Sequence, residues 1–345
     1  WLGVSTTPSW EYESDSSGAN LGSAVATGDF NADGYDDAAI GAETYTLGQS
    51  NEGLVFVYYG SASGLPSTPD WFWDADETSA HAGISLGTGD VDGDGVEDLF
   101  VGVSFFTWSS GVTAGALIFT GGSAGLGSTP AGYAECNASW SCAESLAVGD
   151  IDGDGLDDLV LGNDNYTNGE SNEGSIDFFL GSSSPTPMTH LGTWECDQTS
   201  CQVGKDVAVA DATGDGLADV LVGSGNYQND TIYGTDGAAW FWAGTSTGVD
   251  VSTPHTLATW ESWSYFGSAV QLLDMDQSGA AELFVSARSH DTSNYEDAGA
   301  VYVWEIADAD ADGDPDSSDC DDTDPTVHTG AIDVCGDGID NDCDG

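Results

Sequence analysis

One nine-residue pattern, repeated five times at a nearly constant interval, constrains this chain more than any other feature. The clearest copy is Asp150-Ile151-Asp152-Gly153-Asp154-Gly155-Leu156-Asp157-Asp158. It places Asp at positions 1, 3, 5 and 9 and Gly at position 6. Alternate carboxylates can turn inward on one small loop, and Gly at the sixth position permits the sharp turn because it tolerates φ > 0. The other copies start at Asp29, Asp90, Asp211 and Asp274, so successive starts lie 61, 60, 61 and 63 residues apart. A fixed period of this kind marks a repeat architecture.

Oxygen donors in this number suit calcium, which takes six to eight of them. The candidate ligands are Asp29, Asn31, Asp33, Tyr35 and Asp37 in the first loop, and Asp90, Asp92, Asp94, Val96 and Asp98 in the second. The third offers Asp150, Asp152, Asp154, Leu156 and Asp158, and the fourth Asp211, Thr213, Asp215, Leu217 and Asp219. The fifth, a worn copy, offers Asp274, Asp276, Ser278, Ala280 and Glu282. The seventh-position residues (Tyr35, Val96, Leu156, Leu217, Ala280) would donate through their backbone carbonyls. Asp-Gly pairs are also ordinary turn residues, but single turns have no reason to keep this period.

Sixty acidic residues stand against two basic ones, Lys205 and Arg288, for a formal net charge of −58. Such a chain repels nucleic acid and anionic membrane surfaces. Its self-repulsion weakens a compact state unless cations neutralise it. Salt adaptation or simple solubility would explain general acidity, but not carboxylates at alternate positions with Gly at the sixth. No apolar run approaches the ~18–20 residues of a membrane span. No signal peptide stands at residue 1, which suggests a processed or partial sequence.

Each repeat carries four short strand-like stretches bounded by Gly, Pro, Asn and Asp. A Thr-Pro pair opens each one, at 7–8, 68–69, 129–130, 186–187 and 253–254. The acidic loop follows, then an apolar strand such as Asp98-Leu99-Phe100-Val101-Gly102. Last comes an aromatic and β-branched strand such as Gly53-Leu54-Val55-Phe56-Val57-Tyr58-Tyr59. No helical periodicity of any length is present. The expected fold is all-β, a β-propeller of four-stranded blades. Strands apolar on both faces need a sheet stacked on either side, and neighbouring blades supply it.

Phe266-Gly267, the acidic loops and Ile40-Gly41-Ala42 together resemble the FG-GAP repeat, which builds the propeller head of integrin α chains. The resemblance spans roughly residues 1–305. It implies that each acidic loop joins the first two strands of a blade and that the calcium sites share one face. The Phe-Gly pair is clear only in the fifth repeat, where Val285-Ser286-Ala287 also replaces the usual Gly. Five repeats are visible, and the N-terminal segment 7–13 is expected to close a five-bladed ring. The alternative is seven blades with two missing.

The propeller is expected over residues 1–306 and an acidic tail over 307–345. In the tail, Asp308, Asp310, Asp312, Asp314, Asp316 and Asp319 follow the ligand spacing of an EF-hand loop, with Gly313 at position 6. Helices are not expected to flank it, and it looks more like the calcium-wrapped repeats of thrombospondin type 3. Residues 319–345 are similar to the MopE-type metal-binding motif, named after a copper-binding surface protein. Copper favours imidazole or sulfur ligands and the tail has only His328, so calcium is the expected ion. A further loop of this type begins at Asp340, Asp342 and Asp344, so the natural polypeptide is expected to continue.

Seven cysteines suggest an oxidising, extracellular setting. Cys136 with Cys142, and Cys196 with Cys201, flank equivalent turns and read as two local disulfides. Of Cys320, Cys335 and Cys343, one is expected to pair outside this chain.

No catalytic motif is present, and the five histidines (His81, His190, His255, His290, His328) are scattered. The expected function is therefore a non-enzymatic, calcium-rigidified structural or adhesive protein, secreted or at the cell surface, such as a subunit of an extracellular filament or surface layer. Its partners would be copies of itself, another surface protein or a polysaccharide. The alternative is a calcium-dependent polysaccharide-binding protein or polysaccharide-degrading enzyme, for which Lys205 or Arg288 would have to act. Trp108, Tyr166 and Tyr227 are candidate sugar contacts, and Asn137, Asn165 and Asn229 are glycosylation acceptors.

Overall fold

The computed structural model describes residues 7–107, 115–136, 143–184, 187–228, 235–259, 261, 263–292 and 295–306, with 320, 321, 324, 326, 327, 339, 341 and 343. Among these residues every regular element is a β-strand. The first sheet runs in order β1 (Leu21–Gly28), β2 (Asp37–Ala42), β3 (Leu54–Tyr58), β4 (Trp71–Asp74). The second follows with β5 (Leu86–Gly89), β6 (Asp98–Gly102), β7 (Ala116–Phe119) and β8 (Gly132–Ala134). The third holds β9 (Ser145–Gly149), β10 (Asp158–Asn163), β11 (Ser175–Leu180) and β12 (Thr189–Glu195). The fourth holds β13 (Asp206–Ala210), β14 (Asp219–Ser224), β15 (Ala238–Trp242) and β16 (His255–Leu257). The fifth has three strands, β17 (Phe266–Leu273), β18 (Glu282–Ala287) and β19 (Ala300–Trp304). Consecutive strands are neighbours in every sheet. This is the up-and-down blade of a β-propeller.

The chain divides into two compact units, residues 1–148 with 181–190, and 149–180 with 191–345. In the first unit, Val55 and Val57 of β3 pack with Leu99 and Val101 of β6 and with Leu117 and Phe119 of β7. In the second, Leu221 of β14 and Phe241 of β15 pack with Phe266 and Leu272 of β17 and with Val285 of β18. Within each unit the core is thus sandwiched between sheets, which is why β3, β7 and β15 are buried along their whole length. β19 breaks this rule: Val301 is 66% exposed and Val303 51%.

Glycine sets the closest approach between successive sheets. Gly53 pairs with Ala82 in an isolated parallel bridge, as Gly174 does with Val203 and Gly237 with Phe266. A Cβ on Gly53 would lie 2.2 Å from the Ala82 nitrogen, and the residue sits at φ +80°. Gly53→Ala is therefore expected to destabilise the first unit by about 2–4 kcal/mol, combining left-handed strain with overpacking. Urea unfolding measures this, and a loss under 0.5 kcal/mol would mean that the backbone shifts freely there.

The segment 7–13, read from sequence as a strand, lies in no named strand. Its aromatic residues are nevertheless placed like those of a fourth strand. Trp10 stacks edge-on to Tyr58 at 4.9 Å and donates Nε1–H to the Pro66 carbonyl. Trp71 does the same to Phe119, at 5.1 Å, and to the Gly127 carbonyl. Against the first sheet, Trp10 thus makes the contacts that Trp71 of β4 makes against the second.

Candidate metal centres

All five acidic loops join the first two strands of their sheet. Their carboxylates are held by the loop's own N–H groups. In the second loop, Asp90 Oδ1 accepts from Gly93 and Asp94, and Oδ2 from Gly95. Asp92 accepts from Asp94 N–H and Asp94 from Val96 N–H. The third loop repeats this frame through Asp150, Asp152 and Asp154. The first does so through Asp29, Asn31 and Asp33. Asp211 and Asp215 serve in the fourth loop, and Asp274 and Asp276 in the fifth. The sixth-position glycines Gly34, Gly95, Gly155, Gly216 and Gly279 all have φ between +84° and +103°.

The outcome is a convergence of like charges. One carboxylate oxygen each from Asp90, Asp92 and Asp94 lies within 4.8 Å of the others, and the same holds for Asp150, Asp152 and Asp158. At that separation each pair repels by roughly 1–3 kcal/mol, depending on the local dielectric. Burial, then the neighbouring carboxylates, push the Asp92 and Asp152 carboxyls above their ordinary range. In the other loops Asn31, Thr213 and Ser278 stand where these loops have Asp, so fewer charges meet. The seventh-position residues Tyr35, Val96, Leu156 and Leu217 give their N–H groups to the fifth-position carboxylate. In the fifth loop the Ala280 carbonyl, a candidate ligand, accepts the Ser278 hydroxyl.

The ninth residue has a role that the spacing did not reveal. It is buried at the start of the second strand, as Asp37, Asp98, Asp158, Asp219 or Glu282. Asp98 accepts N–H from Val91 in its own loop and from Gly121 beyond β7. Asp37 does so with Phe30 and Gly60, and Asp219 with Ala212, Thr213 and Gly244. In these three blades the carboxylate clamps the loop to the end of the third strand, while in the third loop Asp158 accepts the Ile151 N–H and joins the acidic group.

Neighbouring loops are stitched together within each unit. Glu97 of the second loop accepts the Asp29 N–H of the first. Ala218 donates its N–H to the Asp150 carbonyl, and Ala281 to that of Asp211.

Burial raises the carboxyl of Asp37 to about 6, and those of Asp98 and Asp219 to about 7. In the metal-free protein the folded state therefore holds more protons than the unfolded chain between about pH 4 and 7. Its stability must fall as pH rises through that window. Urea unfolding in EGTA is expected to give a higher midpoint at pH 5 than at pH 8, and the opposite order would refute this reading of the clamps.

The other sequence candidates scatter. Tyr227 packs edge-on against Trp240 at 5.2 Å, and the Tyr166 hydroxyl meets Glu195. His290 Nδ1 contacts Glu261 and the Tyr302 hydroxyl. Lys205 is exposed and acts on Asp164, while Arg288 lies over the Tyr265 ring at 4.2 Å. Asn165 is bonded to Asp164. Cys196 and Cys201 form a disulfide, as do Cys320 and Cys343. Cys136 is disulfide-bonded, while Cys142 lies outside the described residues. Also outside them are Asp308, Asp310, Asp312, Asp314, Asp316, Asp319, Trp108, Asn137, Asn229, His328 and Cys335. Among the described residues, no helix is long and apolar enough to cross a membrane.

Comparison with known proteins agrees with this architecture. Residues 21–58, 82–119 and 143–179 match the FG-GAP repeat, and 319–345 match the Cu-binding MopE metal-binding motif. The chain thus carries FG-GAP repeats followed by a metal-binding motif. The fourth and fifth loops lie outside the matched stretches and share their hydrogen-bond frame. Phosphatidylinositol-glycan-specific phospholipase D of Rattus norvegicus is 42% identical over 87 residues, 25% of this chain and 10% of the relative. The Homo sapiens protein of that name is 30% identical over 177 residues, 47% of this chain and 20% of the relative. Integrin alpha-PS5 of Drosophila melanogaster is 40% identical over 96 residues, 25% of this chain and 9% of the relative. The chain spans a fifth or less of the length of these relatives.

Proposed function

We propose that this chain is a secreted or cell-surface structural and adhesive protein whose blades are stiffened by calcium. The observation that supports this most is the convergence of Asp150, Asp152 and Asp158 in a loop that already orients its carboxylates. All-oxygen donors of high charge fit calcium. The bound ion would supply the positive charge that this acidic chain lacks. Asp90, Asp92 and Asp94 would hold a second ion, and the loops starting at Asp29, Asp211 and Asp274 further ones, through their first, third, fifth, seventh and ninth positions. Asp37, Asp98 and Asp219 would keep the first two strands of each blade tied to the third while the loop closes.

Residues 1–306 would form the propeller, as five blades closed by the N-terminal segment. Residues 307–345 would form a separate tail that binds calcium through Asp308, Asp310, Asp312, Asp314, Asp316 and Asp319. Disulfides fit an oxidising, extracellular location. Integrin relatives favour adhesion, to a second copy, another surface protein or a polysaccharide. The phospholipase D relatives favour an enzyme, but the rat and human matches cover 10% and 20% of those proteins.

Beads coated with the full chain test this reading. They are expected to cluster with each other or with polysaccharide-coated beads in millimolar calcium, and to disperse in EGTA. No capture of either partner, together with hydrolysis of a glycan or a glycolipid, would replace adhesion by enzymatic activity.

A further inference from the structure

In the third sheet a second acidic group sits at the opposite strand ends from the nine-residue loops. The β10–β11 loop and the end of β12 share that side, because the strands alternate in direction. There Glu173, Glu195 and Asp197 bring one carboxylate oxygen each within 4.8 Å of the others. Glu173 is 0% exposed, and its Oε2 has no hydrogen-bond partner. Its Oε1 accepts the Asn168 N–H. A buried carboxylate oxygen left without a hydrogen-bond partner is costly, because it has lost its water and gained no donor in return. The remaining acids are nonetheless held in place. Glu195 accepts from Asn168 Nδ2 through both oxygens, at 3.1 Å each, and from the Tyr166 hydroxyl. Asp197 stands exposed inside the Cys196–Cys201 disulfide loop.

The first sheet supplies an internal contrast. Glu52, Asp74 and Asp76 lie 121 residues before their counterparts and form the same triangle. Glu52 is also fully buried, but both its oxygens are capped, Oε1 by Leu47 and Gly48 N–H and Oε2 by Gln49 N–H. That triangle is complete without an ion, whereas the third-sheet one is not.

We propose that Glu173, Glu195 and Asp197 form a separate site for a hard divalent cation, calcium by its all-oxygen donors, on the side of the blade away from the nine-residue loops. The ion binds the bare Glu173 oxygen and ties the 164–174 loop to the end of β12. Three carboxylates do not fill six to eight positions. The rest open beside exposed Asp197, where water or an oxygen of a bound partner completes the shell. This site does not depend on calcium in the nine-residue loops.

Equilibrium dialysis of the full, disulfide-intact chain against calcium tests it, comparing wild type with Glu173→Gln and Asp197→Asn. Glu173→Gln is expected to bind one calcium fewer per chain, and Asp197→Asn to weaken one site about tenfold. Hydrogen exchange in the 164–172 loop should slow with calcium in the wild type but not in Glu173→Gln. An unchanged calcium count in both variants overturns the proposal. So does a stability change in Glu173→Gln that is equal with and without calcium while the count stays constant, since Glu173 would then be only a structural acceptor. A wild-type chain that binds one calcium, lost in Glu173→Gln, would keep this site and reject the nine-residue loops.

Discussion

Exchanging calcium for EGTA at constant high NaCl is expected to lower the melting temperature by roughly 5–10 °C. At ~2 mM free calcium and dissociation constants of about 10⁻⁴–10⁻³ M, each independent site contributes about 0.6–1.8 kcal/mol. The four loops other than the worn fifth together give roughly 3–7 kcal/mol, comparable to the whole stability of many domains. High NaCl is essential to the comparison. It screens the general repulsion of a chain with net charge −58, so what remains is specific binding. A melting temperature that does not move under these conditions would reduce the loops to hydrogen-bonded turns.

The second large effect is expected at Asp219→Ala. The Asp219 side chain is fully buried and accepts N–H groups from Ala212, Thr213 and Gly244. Each buried donor left without an acceptor costs about 1–3 kcal/mol, so losing the acceptor of three should cost about 3–9 kcal/mol even in EGTA. Asp94→Ala is the matched control. Its carboxylate is exposed and accepts one N–H, from Val96. Without calcium it should be no more than about 1 kcal/mol less stable than wild type, because the exposed Val96 N–H finds water instead and the repulsion from Asp90 and Asp92 is relieved. With calcium it should fall further behind. If both variants lost the same amount in EGTA, the ninth position would not be the clamp described above.

Much of the blade was legible because its signals are local. The interval between acidic loops located the sheets, and the glycines at position 6 marked each turn where the structure has positive φ. Even the worn fifth loop kept its frame, since Ser278 replaces a carboxylate without disturbing the N–H donors around Asp274. What escaped was set by partners far along the chain. Asp37 finds Gly60 and Asp98 finds Gly121, each 23 residues away, and no spacing rule announces such a clamp. Glu173 escaped for a similar reason. Its motif Ser-Asn-Glu-Gly recurs at 50–53 and 171–174, two periods apart, so a search for a feature of every repeat passes over it. Thr7-Pro8-Ser9-Trp10 matches Thr68-Pro69-Asp70-Trp71, a likeness that points to a strand in the N-terminal segment. That likeness reported where Trp10 packs rather than a named strand.

The most direct measurement is anomalous X-ray diffraction from crystals of the chain grown in millimolar calcium. A calcium peak is expected inside the third loop, in contact with Asp150, Asp152 and Asp158, and another among Asp90, Asp92 and Asp94. Loops occupied only by water at that concentration would contradict this expectation.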